Sequence, residues 1–276
     1  MSPPASAAPA LLRVEHADLD TAGARAAVLV LARPDKLNAI DLAMVEQLDA
    51  AIDAVDADAS VRCVLVTGEG RAFSAGGDLE KYIALQRDPV AFPHFVAELH
   101  RVFGRLRRLR VPAVALVNGV TAAGGLELLI ACDFAIAARS ARIGDAHQNF
   151  GQMGGGGVLS LLPRMIGWQR AAELVFSGRF LPAEQAREWG LVAEVVDDDA
   201  LREAGLAFAR EVARKSPLAI AKAKQTMAAI WEERLPLEAG LRLERETNNV
   251  YCLTSEDAPE GLDAFAHKRD PRFRGR

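Results

Sequence analysis

Much of what this 276-residue chain could be is excluded by what it lacks. No apolar run approaches the roughly 20 residues a membrane-spanning helix needs, so a membrane partner is not expected. The opening M-S-P-P-A-S-A-A-P-A has neither a basic n-region nor an apolar h-region, and a soluble cytoplasmic protein is the expectation. Cysteine is scarce: Cys63, Cys132 and Cys252 are widely spaced, without a C-x-x-C pair. That argues against a disulfide framework, a zinc site or a redox motif, and Cys63 and Cys132, inside apolar runs, read as buried reduced thiols. No metal site is expected. There is no surplus of positive charge, with 33 Lys and Arg against 37 Asp and Glu, which argues against a nucleic-acid partner. One basic run, Arg105, Arg107, Arg108 and Arg110, interleaves with Leu106 and Leu109 and reads as the solvated face of an amphipathic helix. Neither G-K-[ST] nor G-x-G-x-x-G follows a strand, so a P-loop or dinucleotide fold is disfavoured. No internal period is visible.

The chain does have apolar content, 50% of residues, enough for a sizeable core at this length. It alternates strand-like and helix-like segments, the pattern of an α/β fold. The run A-A-V-L-V-L-A ending at Ala32 predicts a strand, and Asp41 an N-cap for a helix to about Val55 with Met44, Val45, Leu48 and Ile52 on one stripe. Val61 to Thr67, Ala113 to Val117, Phe134 to Ala138 and a short segment near 141–144 also read as strands. Phe95 to Leu109 predicts a helix that stops before Pro112. After Ser160 helices dominate: 159–166, 168–177, 182–189, 198–215, 217–231, 236–251 and 255–267, with only Leu191 to Val196 reading as a strand.

Two stretches carry chemistry. In V111-P-A-V-A-L-V-N-G-V-T-A-A-G-G-L-E127 a buried strand ends in small residues and a helix begins. Glycines admit a ligand close to the backbone, and the unpaired N–H groups of a first helical turn face any negative oxygen that arrives. Gly124 and Gly125 can therefore donate to a developing oxyanion. Glu127 follows among Leu126, Leu128, Leu129 and Ile130; in apolar surroundings its pKa should rise, making it a candidate acid or base, while the plain alternative is a solvated helix glutamate. A second turn of the same kind runs G68-E-G-R-A-F-S-A-G-G-D-L79, with Asp78 as N-cap of the next helix. Two such turns can each aim one N–H at the same point, as in a two-donor oxyanion hole.

In these motifs, with R33-P-D-K-L-N-A-I40, the glycine run 154–157, S216-P-L-A and the ending A264-F-A-H-K-R-D-P-R-F-R-G-R276, the chain resembles the crotonase (enoyl-CoA hydratase/isomerase) superfamily from about Leu11 to its last residue. The resemblance implies stacked β-β-α turns in a core over 11–200 and a helical trimerisation region over 201–276; residues 1–10, rich in Pro, Ala and Ser, are expected to be a disordered tail. The resemblance also implies a homotrimer or dimer of trimers. By the same resemblance Gly77 and Gly124 are the two oxyanion donors and Glu127 the first catalytic glutamate. The second glutamate is expected twenty positions later, where this chain carries His147; a slip of register would bring Asp145 there instead, and the plain reading of His147 is a hydrogen-bonded structural histidine. Imidazole, with a pKa near 6.5, can give or take a proton at neutral pH. The matching acyl-CoA positions are Lys36, Leu37, Ala75, Asp78 and Leu79, with Gly155 in the run 155–157 at the acyl pocket or the water site, and Phe265 and Lys268 reaching in from a neighbouring subunit. Coenzyme A enters as part of the substrate, with no separate cofactor. The resemblance implies hydration of a 2-enoyl-CoA to a 3-hydroxyacyl-CoA; hydrolytic carbon–carbon cleavage, isomerisation, or a non-catalytic acyl-CoA-binding subunit stay open beside it.

Overall fold

A computed structural model describes residues 10–21 and 23–276; the tail expected over 1–10 lies, apart from Ala10, outside the described residues. The chain runs β1 (Leu12–Asp18), β2 (Arg25–Leu31), α1 (Leu42–Ala57), β3 (Val61–Gly68), β4 (Ala72–Ser74), α2 (Leu79–Leu85), α3 (Ala91–Arg107), β5 (Ala113–Val117), β6 (Val120–Ala122) and α4 (Gly124–Ala131). It continues with β7 (Phe134–Ala138), β8 (Arg142–Gly144), α5 (Val158–Ile166), α6 (Trp168–Ser177), β9 (Phe180–Pro182), α7 (Ala183–Glu188) and β10 (Glu194–Val196). It ends in α8 (Leu201–Ala213), α9 (Pro217–Glu232), α10 (Leu237–Thr254) and α11 (Asp257–Ala266).

The strands form two sheets, ordered β1-β2-β3-β5-β7-β10 and β4-β6-β8-β9. Each of β3, β5 and β7 is followed in the chain by a short strand of the second sheet, and β4, β6 and β8 stack in the same order. Those pairings are parallel, so the chain winds as repeated β-β-α turns; antiparallel β1 and β9 close one edge of each sheet. The larger sheet is covered on both faces, which is why β2, β3 and β5 read as continuous apolar runs rather than alternating ones. Leu29, Leu31, Val64 and Val66 pack with α1, α3, α4 and α5. Val28, Val30, Leu65 and Leu116 pack on the opposite side with Leu201, Ala209 and Ala213 of α8. Hence α8, grouped by the sequence reading with the C-terminal helices, lies on the sheet.

Every residue of α4 is buried, as expected of a helix that is apolar all round. Its close approach to β4 depends on Gly125, where a Cβ would stand 2.1 Å from the Ser74 carbonyl oxygen. The C-terminal helices differ sharply: α9 buries no residue, α10 only Gly240, and α11 only Asp257 and Ala264.

Three expectations change. Helices dominate after Ser160, but β9 as well as β10 is a strand there. The long C-terminal segments shift by one to three residues, and α3 begins four residues before Phe95. The basic run is a set of ion pairs rather than a free solvated face: Arg105 pairs with Asp49 and Asp53, Arg107 and Arg108 with Glu232, and Arg110 donates to the carbonyls of Val55, Asp58 and Val61. Cys63 and Cys132 are buried thiols with raised pKa, while Cys252 is exposed.

Candidate active site

The two glycine turns meet. Gly76, in the left-handed region at φ 102°, lies so close to the second turn that a Cβ there would stand 2.8 Å from the Ala123 Cβ and 3.3 Å from the Gly124 nitrogen. The first turn is fastened from outside. The Ile40 N–H donates to the Gly76 carbonyl at 2.7 Å and the Asp78 N–H to the Ile40 carbonyl at 3.0 Å, a parallel bridge centred on Gly77. Because neighbouring N–H groups along an extended chain point to opposite sides, that bridge leaves the Gly77 N–H directed away from Ile40. Arg33 clamps the same corner, donating to Asp41 at 3.2 Å and Asp78 at 2.7 Å, with Lys81 also on Asp41. Asn38 and Asn118 staple the loop before the turn through the Glu69, Gly70 and Ala72 carbonyls. In the second turn Gly124 is the first residue of α4, where an N–H has no partner within the helix.

Both turns line one cavity of about 590 Å³. Glu127 and His147 line it too, with Lys36, Leu37, Ala75, Asp78, Leu79 and Gly155, so ten of the twelve candidate positions converge. Phe265 and Lys268 are exposed and lie away from it. Lys36 is half exposed and stands 3.6 Å from Glu80. The side chain of Asp78 is already engaged, accepting from Arg33 and from the Lys81 N–H at the start of α2, which leaves its backbone to face the cavity.

Glu127 is 2% exposed and its Oε1 accepts the N–H groups of Gly156 at 2.7 Å and Val158 at 3.3 Å. Burial pushes its pKa up, against the charge of His147 and the two N–H groups, which favour the carboxylate. The glycine run makes room for this carboxylate, since a Cβ on Gly156 would stand 2.6 Å from Glu127 Oε2, and one on Gly154 3.1 Å from Oε1 and 3.3 Å from His147 Cε1. His147 opens a short 3₁₀ turn, His147–Phe150, and its Nδ1 lies 2.8 Å from Asp145 Oδ1. Burial opposes its charge, yet the bond to Asp145 and the charges of Asp145 and Glu127 outweigh burial, so the imidazole titrates above its ordinary range. Without a register slip, Asp145 and His147 are both at the site, as partners of one another.

Sequence reasoning missed the Arg33 clamp, the Gly156 and Val158 donors, and the contact between Asp145 and His147. Arg33 stands in the motif 33–40, Asp41 directly after it and Asp78 in the turn 68–79, which is the one signal available beforehand. Tyr82 was missed as well; it lines the cavity and packs edge-on against Phe92 and Phe95, 5.3 and 6.2 Å between ring centres.

A family profile described as enoyl-CoA hydratase/isomerase matches residues 21–276. The chain belongs to this family, within the crotonase superfamily. Among its relatives, 2,3-dehydroadipyl-CoA hydratase of Escherichia coli (strain K12) is 35% identical over 252 residues, 91% of this chain and 96% of that protein. The 1,2-epoxyphenylacetyl-CoA isomerase of the same organism is 36% identical over 252 residues, 90% and 94% of the two chains. The crystal structure of an enoyl-CoA hydratase from Bacillus anthracis superposes with a TM-score of 0.89 at 32% identity, covering 96% of this chain and all of that one. The stacked β-β-α winding is thus the crotonase fold, with helices at its C-terminal end.

Proposed function

We propose that this member of the family hydrates a 2-enoyl-CoA to a 3-hydroxyacyl-CoA. The observation that carries the reading is the convergence on one cavity of Gly77 and Gly124, whose backbone N–H groups have no partner among the described residues, with two proton carriers, the buried Glu127 and the partly buried His147. The thioester carbonyl oxygen accepts from both glycines. Glu127, a carboxylate held by two backbone donors, takes a proton from water as its oxygen bonds to Cβ. The electron pair moves through Cα to the thioester oxygen, where the glycines stabilise enolate charge, and the His147 imidazolium returns a proton to Cα. One water is added and both side chains have exchanged protonation states, which solvent restores. Donors of this kind are worth about 2.7 to 4 kcal/mol each in the transition state.

On this reading coenzyme A is part of the substrate and no separate cofactor is invoked; Lys36 meets its phosphates as a point charge. The protein works in the cytoplasm as a homotrimer or dimer of trimers. The apolar side chains left exposed on its last three helices, among them Met227, Leu253, Leu262 and Phe265, support an assembly in which Phe265 and Lys268 enter a neighbour's site. Light scattering that gives a monomer's mass removes that part.

The test is the purified protein with a panel of 2-enoyl-CoA and β-ketoacyl-CoA thioesters, read by product mass. Gain of one water on an enoyl-CoA is the expected result. A shifted double bond at unchanged mass, in line with the isomerase relative, or cleavage of a β-ketoacyl chain overturns hydration while keeping the site; tight binding without turnover on the whole panel leaves an acyl-CoA-binding subunit.

A further inference from the structure

Four aspartates are buried: Asp41, Asp78, Asp145 and Asp257. In three of them both oxygens are bonded. Asp41 takes the Met44 N–H on one and Arg33 and Lys81 on the other; Asp78 takes the Lys81 N–H and Arg33; Asp257 takes the Arg274 N–H on one and Ser216 and the Gly275 N–H on the other. These cap or tie elements of the fold. Asp145, 1% exposed, differs: its side chain bonds to His147 alone among the described residues, and its Oδ2 accepts nothing.

The backbone is bent to make that one contact. Side chains two residues apart in an extended segment point to the same face without touching through a planar hydrogen bond, but Ala146 between them is left-handed, at φ 56° and ψ −6°. A non-glycine residue in that region is uncommon and persists where the surrounding structure requires it. The turn folds the imidazole back onto the carboxylate. The Asp145 carbonyl meanwhile accepts the N–H of Ala123 at 2.8 Å, and Ala123, itself at φ 46°, immediately precedes Gly124.

We propose that Asp145 is a positioning residue that holds His147 in the Nδ1–H tautomer, so that Nε2 is the nitrogen presented to the acyl chain, while its carbonyl sets the turn that aims the Gly124 N–H. A carboxylate accepting from Nδ1 selects the tautomer and stabilises the imidazolium, as in any histidine backed by an acidic partner. The charged groups facing the ring are Asp145 on its own loop and Glu127 on α4. The inference rests on the reading of His147 as a proton carrier.

The test is ¹⁵N-histidine NMR of the full-length protein across pH, with His147→Gln identifying the signal among five histidines. Above its titration the His147 ring should be protonated at Nδ1 and bare at Nε2. In Asp145→Asn the midpoint should move to lower pH, and kcat should fall about tenfold or more while KM and CoA binding hold, since the substrate contacts remain. A wild-type ring protonated at Nε2 overturns the proposal, as does an unmoved midpoint in Asp145→Asn. If that variant does not fold, the wild-type tautomer decides alone. The tautomer does not depend on the reaction: an Nδ1–H ring in a protein that fails to hydrate any enoyl-CoA sustains the positioning role and removes the hydratase reading.

Discussion

The two walls of the cavity are made of different materials. One is backbone: Gly77, fixed by its bridge to Ile40, and Gly124, fixed at the head of α4, present N–H groups that carry no titratable proton in the working range. The other is side chain: Glu127, buried, and His147, partly buried, each with a pKa displaced upward, each influencing the other. On the proposed mechanism the first wall stabilises charge and the second moves protons. All the pH dependence therefore belongs to the second wall, and the first answers only to geometry.

The largest expected effect breaks the second wall. Glu127→Gln and His147→Ala should each lower turnover about 10²- to 10⁴-fold with thioester binding nearly intact, and the double variant should be little worse than the worse single, because residues acting as a unit are non-additive. Steady-state kinetics with the best substrate of the panel checks this. Full activity in His147→Ala would return the histidine to a structural role and leave one proton carrier on that wall.

How far each wall was legible in the sequence follows from its material. Glycine turns between an apolar strand and a helix are local features, so the first wall was readable from residues 68–79 and 111–127. The larger strands were readable for the same reason, being apolar runs buried on both faces. β1 was not, because Leu12–Asp18 is an edge strand whose side chains are mostly exposed, and β4, β6 and β9 are three residues each, too short for periodicity to register. For the second wall, Glu127 and His147 were reachable by motif and spacing. Their partners were not: the donors to Glu127 come from residues 29 and 31 positions away, and Asp145 meets His147 only because Ala146 is left-handed.

A smaller loss is expected from the first wall. Gly124→Pro removes one donor at the first position of α4, and because Ala123 before it, at φ 46° and ψ −117°, must adjust to a following proline, circular dichroism checks that the variant is folded. The substitution should cost about 10²- to 10³-fold in kcat, the range for one oxyanion donor. What sharpens the comparison is the pH profile, which should keep its shape in Gly124→Pro and change it in His147→Ala. A profile that shifts in Gly124→Pro would show that the walls are not separable.

Stability gives a third contrast. Both pKa displacements are upward, so both groups bind protons more tightly folded than unfolded, and their contribution is fullest below the ordinary carboxylate and imidazole ranges. It is lost as pH rises through the displaced values. Wild-type Tm should therefore decline as pH is raised from the ordinary carboxylate range, where the Glu127 contribution begins to be lost, to above the ordinary imidazole range, where that of His147 is lost, apart from changes elsewhere in the chain. Glu127→Gln keeps an oxygen for the Gly156 and Val158 N–H groups without a buried charge, and should decline less steeply while being at least as stable. Parallel slopes in scanning calorimetry would mean that Glu127 carries no burial penalty.

The smallest effect is expected at Gly77, and it tests whether the first wall works through its N–H or through being glycine. A Cβ there meets only Tyr82 Cδ2, at 3.6 Å, an ordinary contact, and Gly77 is not among the glycines in the left-handed region. Gly77→Ala keeps the N–H and the bridge to Ile40. It should leave kcat/KM within about twofold, the size of a change of about 0.5 kcal/mol. Gly76→Ala, one residue earlier, is the opposing control: at φ 102° and 2.8 Å from the Ala123 Cβ, it must push the two turns apart. If Gly77→Ala were as damaging as Gly76→Ala, the cavity would need the missing side chain at residue 77 for substrate passage, and the donor role would rest on Gly124 alone.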